Sequence, residues 1–246
     1  MKTKLKSLSK QVILFLMFAS TVFSQSITNT IGTNGLFTIK DASSNYLTLS
    51  QSTGQLNLFK TLRLENTTSS TSGIIFKDAE RFLHNFGANN TFLGANSGNF
   101  TMTGIGNTAV GRNSLKSNNS GTNNTAMGLQ SLYSNTDGNQ NTALGRNSLN
   151  GNTIGSENTA VGYSSLITNT TGSENTAVGV NSLISNTGSE NTALGSASLY
   201  SNTIGTQNTA LGLNSLSSNT IGTQNTALGY SSGSNVTNGD NLTLIG

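Results

Sequence analysis

The last two-thirds of this chain repeat one pattern of apolar and polar positions about every 17 residues. Each unit closes on a glycine, from Gly94 through Gly111, Gly128 and Gly145 to Gly246. Eight of the nine intervals are 17 residues, and one, Gly179 to Gly195, is 16. The residue before that glycine is apolar in all ten units, from Leu93 and Val110 to Ile245. The residue three before it is threonine in all ten, and alanine lies between them in the eight central units, Ala109 to Ala227. Serine follows three places after the glycine, and leucine four places after it in seven units, Leu115 to Leu216. A second glycine comes later, at Gly104, Gly121 and onward to Gly239. The high Asn, Thr, Ser and Gly content would by itself point to disorder. A strict register of this length points instead to a solenoid, in which each unit is one turn of a stack and touches only its neighbours.

The pattern predicts an all-β parallel roll of about ten coils. Taking the unit that closes at Gly111, Thr108-Ala109-Val110-Gly111 reads as a short strand. Ser114-Leu115 reads as a second strand or a corner. The Asn-rich segment ending on Gly121 reads as a turn, with glycine free to take positive φ and asparagine able to bond its own backbone. The 16-residue unit lacks one residue just before Gly188, inside that turn, where a deletion spares the strand register. Successive strand residues face opposite sides, so threonine and the Val/Leu position share one face and alanine takes the other. Neither face is strongly polar, which is the pattern of a strand buried on both sides. A narrow coil has one inside, so a further copy of the chain is expected to cover the second face. The competing expectation is a monomer with its alanines on an open flat face. In the buried reading the threonines point inward.

Residues 25–89 differ from the repeats. Short alternating or apolar runs at 36–39, 46–49, 56–59, 62–64 and 74–76, separated by Gly, Asn and Ser, read as strands of a small N-terminal β cap. Only residues 78–86 carry a weak helical period. The expected organisation is a signal peptide over 1–24, the cap segment over 25–89 and the repeat roll over 90–246.

Charge changes the picture once the leader is set aside. Lys2, Lys4, Lys6 and Lys10 precede an apolar run from Val12 to Phe23, which reads as a cleaved export signal too short to span a bilayer. Four of the 12 Lys and Arg residues lie in it, leaving eight against nine Asp and Glu, a net charge of −1. The basic pI therefore predicts no nucleic-acid partner. The chain has no cysteine, which excludes disulfides, thiolate metal sites and a lipid-modified cysteine.

Candidate chemistry is sparse. His84 is the only histidine, and no partner sits at a catalytic spacing, so no enzyme activity, cofactor or metal is expected. The glycines follow no phosphate-loop pattern, and the repeats hold only Asp137 and Asp240, too few for a calcium roll. Glu157, Glu174 and Glu190 occupy one position in three successive units and are expected to form a short acidic ladder on strands about 4.8 Å apart. That ladder is either a weak cation or receptor contact or a solvated row. Gln140, Gln207 and Gln224 hold the same position elsewhere.

The segment Asn107-Thr108-Ala109-Val110-Gly111-Arg112-Asn113-Ser114-Leu115, and its copies such as residues 175–183, resemble the head repeat of the trimeric autotransporter adhesins, the YadA-like heads. Those heads carry a Ser-Val-Ala-Ile-Gly motif followed by small residues. The resemblance covers about residues 90–246. It implies a left-handed parallel β-roll assembled as a homotrimer. It also implies secretion to, or display on, the surface of a Gram-negative cell, outer-membrane associated, for adhesion. Partners of that kind are an extracellular-matrix protein, a glycan or a cell-surface receptor. The family's repeat is shorter per turn, and its coiled-coil stalk and anchor barrel have no counterpart pattern in these 246 residues. A structural spacer fibre without a receptor is the alternative, and an ice-binding solenoid a further one.

Overall fold

Threonine and valine are stiff at χ1 and sit well on a pleated surface, and glycine ends the run. A computed structural model describes residues 36–40, 45–50, 55–58, 74–77 and 79–246. The expected signal peptide, residues 1–24, lies outside the described residues. Among the described residues there is no helix. The contacts divide the chain at residues 63 and 64. In the first unit, β1 (Leu36–Lys40), β2 (Asn45–Ser50) and β3 (Gln55–Leu58) form an antiparallel sheet in that order.

The second unit is the solenoid. It opens with an antiparallel hairpin, β4 (Ile75–Lys77) and β5 (Glu80–His84), so the stretch with a weak helical period is strand. Its inner strand β5 pairs antiparallel with β6 (Thr91–Leu93), and from there every neighbour is parallel. One three-residue strand per repeat follows, through β10 (Thr159–Val161) and β11 (Thr176–Val178) to β15 (Thr243–Ile245). Together they make one 12-stranded sheet wound into about nine turns of ~17 residues. Thr159 pairs with Thr176, Ala160 with Ala177 and Val161 with Val178. The short unit keeps this register, since Thr176 pairs with Thr192 and Ala177 with Ala193. At about 4.8 Å per parallel step the ten repeat strands span roughly 43 Å.

The Ser-Leu segment is a corner and forms no second strand. Ser114 Oγ donates to the Gly111 carbonyl at 2.9 Å, and Leu115 takes a left-handed backbone at φ 49°. That conformation costs an L-residue about 1–2 kcal/mol. The full burial of the leucine side chain, worth about 1.5–3 kcal/mol, offsets it. Six further leucines, from Leu132 to Leu216, repeat the arrangement.

The two glycine columns differ from the expectation. Gly111 has positive φ, 130°, and a Cβ there would lie 2.5 Å from the Gly128 carbonyl oxygen. Gly121, where positive φ was expected, does not adopt it. It is glycine for space alone, because a Cβ would meet Asn118 Oδ1 at 2.4 Å and the Gly138 carbonyl oxygen at 2.5 Å. The left-handed turn residues other than glycine are Leu, Asn, Gln and Glu, with Ser164, Ala197 and Ser231.

The interior is a stack of thin columns. Alanine and leucine columns meet along its length, headed by Phe92 and joined near the far end by the partly buried Leu244. Beside them run two fully buried asparagine columns, one through Asn107, Asn124 and Asn141, the other through Asn118, Asn135 and Asn152. In the first, Asn124 donates through its backbone N and its Nδ2 to Asn107 Oδ1 at 3.0 and 3.1 Å. In the second, Asn135 Nδ2 donates to Asn118 Oδ1 at 2.7 Å. Both columns converge on one carbonyl, that of Gly138, which accepts from Asn124 Nδ2 and Asn135 Nδ2. A buried polar column stands only when its members are bonded, and the asparagine-to-asparagine bonds exist only between successive turns.

Candidate interaction surfaces

The strand Thr-Ala-Val has one inside. Ala109, Ala126, Ala143, Ala160 and their copies are fully buried in the coil. Thr108 and Val110, on the opposite face, are only partly buried, and the same positions further along are exposed. The expectation that threonine points inward, and the competing one that alanine lies on an open flat face, are therefore corrected. Alanine fills the coil's own core, because only a side chain this small fits between the strand and the leucine corner. Threonine and the aliphatic residue form the outer face of the sheet.

That outer face carries ten threonines beside ten aliphatic residues and no charge. Met127, Leu194 and Leu228 are each more than 40% exposed. Among the described residues none of the ten threonine hydroxyls has a hydrogen-bond partner. The next position along the chain extends the apolar strip, with Leu129, Tyr163, Val180, Leu213 and Tyr230 exposed. Arg146 lies 5.9 Å over the Tyr163 ring. Arg112 pairs with Glu80 of β5 at 3.9 Å, with both side chains mostly in water, an ion pair of little energetic weight.

Glu157, Glu174 and Glu190 lie together on a corner edge, as their shared position predicts. All three are exposed, and all are left-handed, at φ 59°, 58° and 61°. Their backbone N–H groups are held by the preceding coil; that of Glu174 donates to the Ser156 carbonyl at 3.0 Å. The row continues in Gln207, whose Nε2 donates to Glu190 Oε2 at 3.0 Å, and Gln224, whose Nε2 donates to Gln207 Oε1 at 3.2 Å. Among the described residues no three His, Cys, Asp or Glu side chains converge to hold a metal ion. On the neighbouring corner the Asp137 carboxyl is held below its ordinary value, chiefly by the Ser120 hydroxyl and then by Thr136.

His84 is a buried structural group. Its Nε2–H donates to the Ser97 carbonyl at 2.8 Å, and its Nδ1 accepts from the Phe86 N–H at 3.4 Å. The ring lies 4.8 Å from both Phe92 and Phe100. Burial lowers its pKa, the nearby Arg81 charge lowers it further, and the bond to Ser97 opposes both. Both nitrogens are occupied within the chain.

Thr108, Ala109, Val110, Gly111, Ser114, Leu115 and Gly121 thus hold one coil together, and only Thr108 and Val110 of that set face outward. The asparagine columns carry as much of the coil as these residues do. Their signal was the fixed place of Asn107 in nine of ten units and of Asn118 in the seven central ones. Asn118, read as a turn residue, has an inward role. Among the described residues no helix is long and apolar enough to cross a membrane. No family model, curated protein or solved structure matches the chain.

Proposed function

We propose that this chain is an exported surface fibre whose solenoid self-associates as a homotrimer and adheres through repeated polar contacts. The observation that carries this reading is the outer sheet face, which in every repeat strand carries one threonine and one apolar residue in register and no charge. A single chain leaves exposed there a stripe of the kind that marks protein–protein contact. A second and third copy cover it best, because every rung repeats the same Thr-x-Val/Leu pair. Copies around an axis parallel to the stack meet identical rungs, as closed symmetry requires. The corner row of Glu157, Glu174, Glu190, Gln207 and Gln224 then faces outward and offers equal, weak polar contacts to a matrix protein, a glycan or a receptor.

Light scattering on residues 25–246 tests assembly, with the mass of three chains expected; a monomer that melts cooperatively would overturn the trimer. Saturable binding to matrix proteins, glycans or cells tests adhesion. Deleting residues 146–179, two whole coils, is expected to preserve the fold and shorten the rod by about 10 Å. It should weaken attachment through loss of repeated contacts. An intact rod that binds nothing across such a panel supports the spacer reading.

The ten unpartnered, outward threonine hydroxyls favour one further reading, an ice-binding face. Thermal hysteresis of the purified chain would establish it, and its absence in a chain shown to be monomeric would remove it.

A further inference from the structure

The short unit is read most simply as a tolerated deletion in a loop. Its effect on the interior is larger than that. In the regular coils the second asparagine column is continuous: Asn135 Nδ2 reaches Asn118 Oδ1, Asn152 Nδ2 reaches Asn135 Oδ1, and Asn169 Nδ2 reaches Asn152 Oδ1. The next link is missing. Asn186 Nδ2 keeps only the bond within its own turn, to the Gly188 carbonyl at 2.8 Å, which the regular coils make as well, and Asn169 Oδ1 is left buried without a partner among the described residues. Beyond the break the column resumes, with Asn202 Nδ2 on Asn186 Oδ1 at 2.6 Å.

The backbone breaks at the same place. In the coils before it, the Thr136 N–H donates to the Thr153 carbonyl and the Thr153 N–H to the Thr170 carbonyl, both at 2.9 Å; beyond it, the Thr203 N–H donates to the Thr220 carbonyl at 2.8 Å. The corresponding N–H of Thr170 has no acceptor on Thr187. The lost residue lies at this place. Asn-Thr-Ile-Gly at 152–155, 202–205 and 219–222 becomes Asn-Thr-Gly at 186–188, and the Thr187 carbonyl then sits against Gly172 instead of accepting from the Thr170 N–H. The rest of the coil is unaffected. The strand pairs in register, and the first column passes through, with Asn191 N and Nδ2 on Asn175 Oδ1 at 3.0 and 3.2 Å.

We propose that the 16-residue unit is a built-in seam: the solenoid opens first between the turn at residues 169–172 and the turn at 186–188, and the coils on either side behave as two cooperative blocks. A solenoid's stability is the sum of its units and the interfaces between neighbours. Asn219 Oδ1, at the end of the column, is also unpaired, but its coil keeps the backbone link from the Thr220 N–H to the Thr237 carbonyl. The interface at 169–188 loses both the side-chain and the backbone link and leaves a buried amide oxygen unsatisfied, which weakens it most. The proposal does not depend on adhesion or on assembly.

Hydrogen exchange on the whole chain tests it. The Thr170 amide is expected to exchange at least about tenfold faster than those of Thr153 and Thr203, which occupy the same place in bonded coils. Inserting an isoleucine between Thr187 and Gly188 rebuilds the regular turn, and should slow Thr170 to the rate of its counterparts and raise the unfolding midpoint. Deleting Ile221 should transplant the seam and release the Thr203 amide. Equal protection of Thr170, Thr153 and Thr203 in the unaltered chain would overturn the proposal. So would an insertion that leaves Thr170 unprotected in a folded protein.

Discussion

Ala160 and its neighbours Thr159 and Val161 are one step apart on the same three-residue strand, yet they meet different surroundings. Ala160 is fully buried against the leucine corner, and each copy above and below repeats it. Thr159 and Val161 stand on the outer face, partly open, between the rungs on either side. The inside of the coil is over-determined: alanine for size, leucine for the corner, two asparagines for the turns. The outside is determined only in kind, and Val, Leu, Met and Ile alternate there freely. The difference separates what the coil needs in order to exist from what it presents to others.

Ala160→Arg is the most damaging way to test that contrast. It places an unpaired charge and a long side chain where no volume is open. A loss of about 3–5 kcal/mol or more is expected, enough to abolish a cooperative melt by circular dichroism. A folded, stable variant would mean that the alanine face is open to water.

Asn158→Ala probes the polar half of the interior. Asn158 accepts from Asn175 N and Nδ2, and donates to Asn141 Oδ1 and the Gly172 carbonyl. Its removal leaves buried partners unpaired at about 1–3 kcal/mol, so a clear drop in the urea midpoint is expected. An unchanged midpoint would mean that the column is dispensable.

Acid sharpens the comparison at the end nearest the hairpin. The neutral His84 ring is the form that fits, and burial lowers its pKa from the ordinary 6.5. As pH falls, the unfolded chain takes up the proton first. The contribution of His84 is therefore complete above about 6.5 and is lost as pH drops below it, levelling off once the folded form is also protonated. Exchange at residues 80–100 should rise over that range while the central coils stay protected. His84→Phe should flatten the dependence.

Val161→Lys on the outer face should cost the single coil least, within about 0.5 kcal/mol. If copies assemble through this face, the same substitution lowers the mass seen by light scattering while the β signature by circular dichroism persists. A silent result in both measurements would place any assembly contact elsewhere.

Periodicity carried most of the architecture. The place of each strand, the coil length, the harmlessness of the Gly188 deletion to strand register and the shared edge of Glu157, Glu174 and Glu190 follow from spacing alone, because every turn must superimpose on the last. Parity correctly separated alanine from threonine and valine. It could not tell which side was inside, because the alanine face and the threonine–aliphatic face are both compatible with burial. The tertiary structure decided that by closing each coil: the leucine corner, bent into a left-handed turn, swings back over Ala160 and away from Val161. It also decided the role of asparagine. Asn107 and Asn118 look like turn formers in one unit, and only stacking brings Asn124 and Asn135 within reach to make them columns. The seam at Asn169 follows from the same physics. A missing residue is a local event in the sequence, but the bonds it breaks run between coils.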